Sequence, residues 1–212
     1  MLRARRAEQK AERRAAILEA ADALLSPGEY GLPSVARIAA QAGLAKGTLY
    51  LYFRTKEEIY LVQLAEGYAR WSERVMKGLS EEWPSLDHFL QRYIAFCVAN
   101  PKTMFLACMG PAILERNVSE EMAFAFKKGL ADTTRQVGEL LSVAFPPLSV
   151  EQSRKLFSHM SALSTGLWQQ THPPETMRRI MERDELKAIQ MDFEKDLYTA
   201  LDALWKGYRG RR

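Results

Sequence analysis

At 212 residues, 47% hydrophobic and 26% charged, the chain has the composition of a globular protein with its own core, which excludes a disordered or fibrous class. Two cysteines are too few for a disulfide scaffold, and no stretch reads as a secretory signal or a membrane span, so the expectation is a cytoplasmic protein with no membrane partner. The net charge of +4 is uneven: residues 1–56 hold ten Lys/Arg against five Asp/Glu, residues 57–205 hold 16 against 21, and the tail from Lys206 holds four against none. Basic ends around an acidic middle suit a polyanion at one surface, although a solvated charge distribution gives the same count.

The apolar pattern is helical nearly throughout, and Pro/Gly breakers cut it into nine predicted helices: 7–25, 34–41, 45–52, 55–79, 85–99, 101–116, 119–145, 149–171 and 175–207. The sixth is expected to break at Gly110-Pro111. Thr55-Lys56-Glu57-Glu58 and Ser149-Val150-Glu151-Gln152 are capping boxes, and Asn100-Pro101 and Ser119 mark further starts. The fold class is therefore all-α, with three short helices first and long ones after. The expected division is a smaller helical unit over 1–56 and a larger helical unit over 57–212.

Residues 34–56 carry the chemistry. Ser34 caps a short helix whose inner face is Val35, Ile38 and Ala39. Ala42-Gly43-Leu44 makes a tight turn in which Gly43 suits the left-handed conformation. The next helix places Leu49 and Phe53 inward and Lys46, Gly47, Thr48, Tyr50, Leu51 and Tyr52 outward. A surface with few charges, a glycine and two hydroxyl-tipped aromatics suits a groove with phosphates at its rims and bases on its floor. Helix, glycine turn, helix is the helix-turn-helix pattern. Lys46 is a phosphate anchor or a guanine reader, Leu51 meets a thymine methyl, and Lys56 sits at a helix N-terminus that attracts phosphate. The alternative for the tyrosines is a place in the core. The arginines before Arg14 form either an N-terminal arm reaching a phosphate backbone or minor groove, or a solubilising tail.

From Arg13 to about Leu64 the sequence resembles the DNA-binding domain of the TetR family of bacterial transcription regulators. The resemblance rests on Ile38-Ala39, Ala42-Gly43-Leu44, Lys46-Gly47-Thr48-Leu49-Tyr50, Tyr52-Phe53 and Thr55-Lys56-Glu57-Glu58. It implies an all-helical homodimer on a palindromic double-stranded DNA operator, with an effector pocket in the larger C-terminal part. Ala36 stands where the family often has arginine, and Arg37 follows it, so the phosphate contact of that helix passes to Arg37.

The acidic body is rich in large soft side chains. Tyr93, Phe96, Phe105, Met109, Phe124, Met160, Leu163 and Trp168 recur at helical spacing, with His159 as a polar group among them. Core is one reading of such stripes; the wall of a pocket for a small apolar effector is the other. Ser158, Ala162, Thr165 and Gly166 form a strip of small residues, and Leu186, Ile189, Phe193, Leu197 and Leu201 an apolar stripe. Together they suit a four-helix dimer interface, or else packing within the monomer. The three histidines are far apart, the cysteines form no short-spaced pair, and no phosphate loop or nucleophile elbow is present. No catalytic residue, metal site or cofactor is therefore expected. The expected function is a sequence-specific repressor released by a small ligand; the alternative is an architectural or protein-interaction DNA-binding protein of the same fold with no effector.

Overall fold

The computed structural model describes residues 2–27, 31–82 and 85–210. Among them there are ten α-helices and no strand. They are α1 (Leu2–Leu24), α2 (Val35–Gln41), α3 (Lys46–Leu49), α4 (Lys56–Lys77), α5 (Leu86–Ala99), α6 (Pro101–Met109), α7 (Glu120–Ala144), α8 (Val150–Thr171), α9 (Glu175–Met181) and α10 (Phe193–Arg209). Arg211 and Arg212 of the basic tail lie outside the described residues.

Helix starts follow their caps. The side-chain oxygens of Ser34, Thr55, Ser85, Ser119, Ser149 and Asp192 each accept from the backbone N–H three residues on. At Ser149 the box is reciprocal, since the Gln152 side chain accepts from the Ser149 N–H. At α4 the return bond is displaced by one residue. The Glu58 carboxylate accepts from the Arg54 N–H at 2.7 Å rather than from Thr55. It does so while buried, which fixes the chain's entry into α4.

Three elements differ from the sequence pattern. Helix α1 starts at Leu2, well before residue 7. The third helix closes after one turn, with Tyr50 to Tyr52 in turns that still bond back to Lys46, Thr48 and Leu49. The stretch 175–207, read as one helix, is α9, a 3₁₀ segment over Asp184–Ile189, and α10. The break is enforced at Asp192. Its carboxylate caps the Lys195 N–H at 2.9 Å, while its own N–H donates to Asp196 at 2.7 Å. A leucine repeat that runs on in register hides such an internal cap.

Two apolar cores result. One holds Ile17, Ala21, Ile38, Leu49 and Phe53 from α1 to α3, together with Leu106, Met109 and Phe126. The other gathers Phe89, Tyr93, Val137, Leu156, Met160 and Trp205 from the body. Helix α4 serves both: Ile59, Tyr60, Leu61 and Leu64 are in the first, and Val75 is in the second with Trp71 against it. Phe193, Leu197 and Leu201, expected at a subunit interface, are buried in the second core instead. The face of α10 that bears them packs on α8 and α5 within the monomer.

Helix α6 crosses α4 at Gly67. A Cβ there would lie 2.6 Å from Thr103 Oγ1 and 2.7 Å from its Cγ2, so the crossing needs glycine. Gly67→Ala gains about 1 kcal/mol of helix propensity but forces α4 and α6 apart at a stiff β-branched neighbour, at about 1–3 kcal/mol. The expected outcome is a lower urea midpoint; a variant more stable than the parent would contradict this crossing.

Candidate nucleic-acid interface and internal cavity

The turn between α2 and α3 is fixed by its hydrogen bonds. Ala42 N–H donates to Ile38 O at 3.0 Å, and Leu44 N–H reaches Ala39 O at 2.9 Å across Gly43, whose φ is +66°. This is the six-to-one closure that requires a left-handed residue, which glycine adopts without steric cost. With Ile38, Ala39, Leu49 and Phe53 buried beneath it, the outward residues of α3 have no freedom to turn in.

Those outward residues form a compact exposed surface. Leu51 is 76% exposed and Tyr50 46% exposed. Lys46 lies exposed with its ammonium 6.0 Å above the Tyr50 ring. No atom comes within 4 Å of a Cβ built on Gly47, so the backbone there is open to close approach. Thr48 and Tyr52 are half-buried, and Tyr52 packs partly against the core. Ser34 and Arg37 are exposed at the start of α2, where Ser34 accepts from the Arg37 N–H.

Lys56 behaves differently from a free surface cation. Its ammonium donates to Leu32 O at 3.3 Å, tying the preceding loop to the start of α4. Beside it the Thr55 hydroxyl donates to Asn117 O at 2.8 Å, a bond from the first turn of α4 to the body. The basic N-terminal residues lie on α1, with Arg14 placed 5.2 Å over the Phe53 ring. A helix is about 10–12 Å across and a minor groove about 6 Å, so this segment cannot thread a minor groove as an extended arm does. Arg5, Lys10, Arg13 and Arg14 are exposed along it.

A half-open cavity of about 240 Å³ lies among α4 to α8 of the body. One wall is aromatic. Trp71 of α4 is its centre, stacked on Phe157 at 5.0 Å and meeting Tyr93 edge-on at 5.4 Å and Phe96 at 6.2 Å. Tyr68 of α4 and Cys97 of α5 continue it. The rest of the lining is largely hydroxylic, with Thr103 on α6, Thr133 and Thr134 on α7, and Ser158, Ser161, Ser164 and Thr165 on α8. The Tyr93 hydroxyl is 3.0 Å from Ser164 Oγ, and burial pushes this phenol well above its ordinary range. Burial likewise raises Tyr68 and Cys97 to about 12.

A wider cleft of about 530 Å³ runs between α1, α4 and the α5–α6 junction. It is lined by Glu19, Asp22, Glu66, Arg70 and Lys102 and bridged by Lys102, which donates to Asp22 at 2.8 Å. Such an open, charged crease suits water. Thr103 lines both concavities, at the crossing with Gly67.

Of the nine residues expected around a ligand, the cavity gathers Tyr93 and Phe96. Met109 and Phe105 belong to the core around α1 to α4. Phe124 is 69% exposed on α7. His159 is exposed and bonded to the Tyr208 hydroxyl at 2.9 Å. Met160 is buried under Trp205, whose indole N–H meets its sulfur at 3.3 Å. Leu163 packs against the second core, and Trp168 stacks on His172 with ring centres 3.6 Å apart. Spacing placed these side chains on the right helices but not on the right faces. Tyr68 and Trp71 were missed, although Leu61, Leu64, Tyr68, Trp71 and Val75 form a legible stripe at helical spacing on α4.

The small strip on α8 is divided. Ser158 and Thr165 line the cavity, whereas Ala162 is exposed and Gly166 half-exposed with open space beside it. Leu186 is half-buried and Ile189 is 60% exposed in the 3₁₀ segment. Among the described residues no group of three His, Cys, Asp or Glu is placed to hold a metal, and no helix is long and apolar enough to cross a membrane.

Comparison with known proteins accords with this geometry. Over 75 residues the chain is 35% identical to the "Fatty acid metabolism regulator protein" of Bacillus subtilis, a match covering 35% of this chain and 39% of that protein. The fold is shared with a FadR transcriptional regulator from Bacillus subtilis, solved with stearoyl-CoA, at 20% identity and a TM-score of 0.59, covering 91% of this chain and 98% of that one. It is shared also with the fatty acid degradation regulator FadR from Bacillus halodurans, at 19% identity and a TM-score of 0.54, covering 93% and 99%. Residues 17–62 match the bacterial regulatory proteins of the tetR family, and residues 65–212 match a tetracyclin repressor-like C-terminal domain. A helix-turn-helix with an exposed α3, on a helical body, is thus matched along nearly its whole length, and the chain belongs to the TetR family of DNA-binding transcription regulators.

Proposed function

We propose that the protein is a cytoplasmic homodimeric repressor that binds a palindromic operator and is released from it when a small, largely apolar ligand enters the body cavity. The observation that carries this reading is the span of α4. Its first half holds the core beneath the exposed α3 turn, and its second half supplies Tyr68 and Trp71 to the cavity wall. A ligand that wedges the cavity moves the helix on which the DNA-binding surface is built. Two recognition helices then no longer match successive major grooves about 34–36 Å apart. The fold neighbour solved with stearoyl-CoA supports a body that admits an organic ligand.

On the DNA side, Lys46 and Arg37 meet phosphates, Thr48, Tyr50 and Leu51 face the bases over the open backbone at Gly47, and Tyr52 gives a hydroxyl at the rim. Ser34 presents the start of α2, and Lys56 reaches phosphate by giving up its bond to Leu32. A leucine 76% exposed has no packing role in the monomer, which favours a role on a partner surface for Leu51. The dimer forms through the outward strip of Ala162 and Gly166 on α8 and the exposed small residues Thr199, Ala203 and Gly207 of α10.

Selection of bound sequences from a random DNA pool is expected to return one palindrome with half-sites about a helical turn apart. Binding spread over unrelated sequences would favour the architectural alternative. Lys46→Ala is expected to weaken all sequences alike and lower the salt slope by about one, whereas Leu51→Ala changes the preferred bases at little cost in stability. A selected motif identical to the parent's after Leu51→Ala would contradict its groove-facing role. Gly166→Arg is expected to give a folded chain with the scattering mass of one 24.2 kDa subunit and no operator binding. A dimer that persists would move the interface elsewhere.

A further inference from the structure

The walls of the cavity carry information about what enters it, and the inference rests on the ligand-release reading above. Among its lining residues there is no lysine, arginine or histidine. Four of its seven serine and threonine hydroxyls are also committed as donors. Thr134, Ser158, Ser164 and Thr165 each donate to the backbone carbonyl four residues back: to Leu130 at 2.8 Å, Arg154 at 3.0 Å, Met160 at 2.8 Å and Ser161 at 3.0 Å. With the Ser164 proton given to Met160, the Tyr93 hydroxyl is the donor in its 3.0 Å bond to Ser164. Four of the seven serine and threonine hydroxyls of the lining therefore present lone pairs rather than protons.

The same cavity is lined by the rings of Trp71, Phe96, Tyr93 and Phe157. An apolar cavity of about 150 Å³ takes a benzene ring, so about 240 Å³ takes one or two fused rings. We propose that the cavity selects an uncharged ring compound that donates hydrogen bonds, and rejects carboxylates and phosphates, including the anionic acyl-CoA bound by the Bacillus subtilis fold neighbour. A negative charge carried into the cavity has no countercharge and meets the lone pairs of the four committed hydroxyls, and burying an unpaired charge is the most costly arrangement available. The upward displacement of Tyr68, Tyr93 and Cys97 agrees, since each acid in or beside the cavity is held in its neutral form by burial.

The test is calorimetric titration of the full chain with β-naphthol, β-naphthoate and stearoyl-CoA near neutral pH. The first two share one ring system and differ in charge and donor capacity. β-Naphthol is expected to bind once per chain and at least tenfold more tightly than β-naphthoate. Ser161→Phe, which places a ring in the cavity, is expected to abolish that binding. Thr165→Val keeps the volume, removes an acceptor and is expected to weaken β-naphthol several-fold while leaving the thermal transition in place. Binding of β-naphthoate or stearoyl-CoA as tight as that of β-naphthol would overturn the proposal. So would an absence of β-naphthol binding, or β-naphthol affinity unchanged in both variants. Selective β-naphthol binding with no effect on operator affinity would uphold the selectivity and overturn the release reading instead.

Discussion

The structure depends on one helix being rigid enough to belong to two cores. Ile59, Tyr60, Leu61 and Leu64 lie fully or almost fully buried under the DNA-facing surface, and Val75 is buried in the body on the same helix. Close-packed interiors shift between discrete arrangements rather than deforming smoothly. A displacement at Trp71 therefore reaches Ile59 as motion of the whole helix. The Gly67–Thr103 crossing sets where α6 bears on that helix, and Thr103 is itself a cavity residue.

The first half of α4 is held from several sides. Thr55 bonds to Asn117, Lys56 to Leu32, the Tyr60 hydroxyl to Ala21 O at 3.2 Å and the Gln63 amide to Leu18 O at 2.7 Å. Lys102 adds a bridge from α6 to Asp22 on α1. The ion pair is exposed and contributes little by itself to stability. Its importance is geometric: the helix that forms part of the cavity wall also touches the first helix of the DNA-binding region directly. The DNA-binding region is thus tied to both α4 and α6.

The sequence made the helix-turn-helix legible, apart from the length of α3, because its signals are local. A cap at Ser34, a left-handed glycine at 43 and buried Leu49 and Phe53 lie within one short stretch, and each reads without knowledge of distant contacts. Helix number in the body was legible for the same reason, apart from the Asp192 cap inside a continuing leucine repeat. The cavity was not. Aromatic and methionine stripes look alike whether they fill a core or line a void, as Met160 and Trp168 against Tyr93 and Phe96 illustrate. Ser158 and Thr165 were read as small residues for helix approach, and only the tertiary arrangement separates these two, which line the cavity, from Ala162, which faces outward.

The direct test of the shared helix is hydrogen exchange along α4 and α6 with and without bound operator DNA. Coupling between sites is reciprocal, so DNA held at α3 must alter the stability of whatever the cavity biases. The account predicts that operator binding slows amide exchange beyond Gly67 to the end of α4 and in α6 around Thr103, while α10 is unchanged. Protection confined to residues 34–56 would contradict it, because the DNA-binding surface would then be tightening without reference to the body.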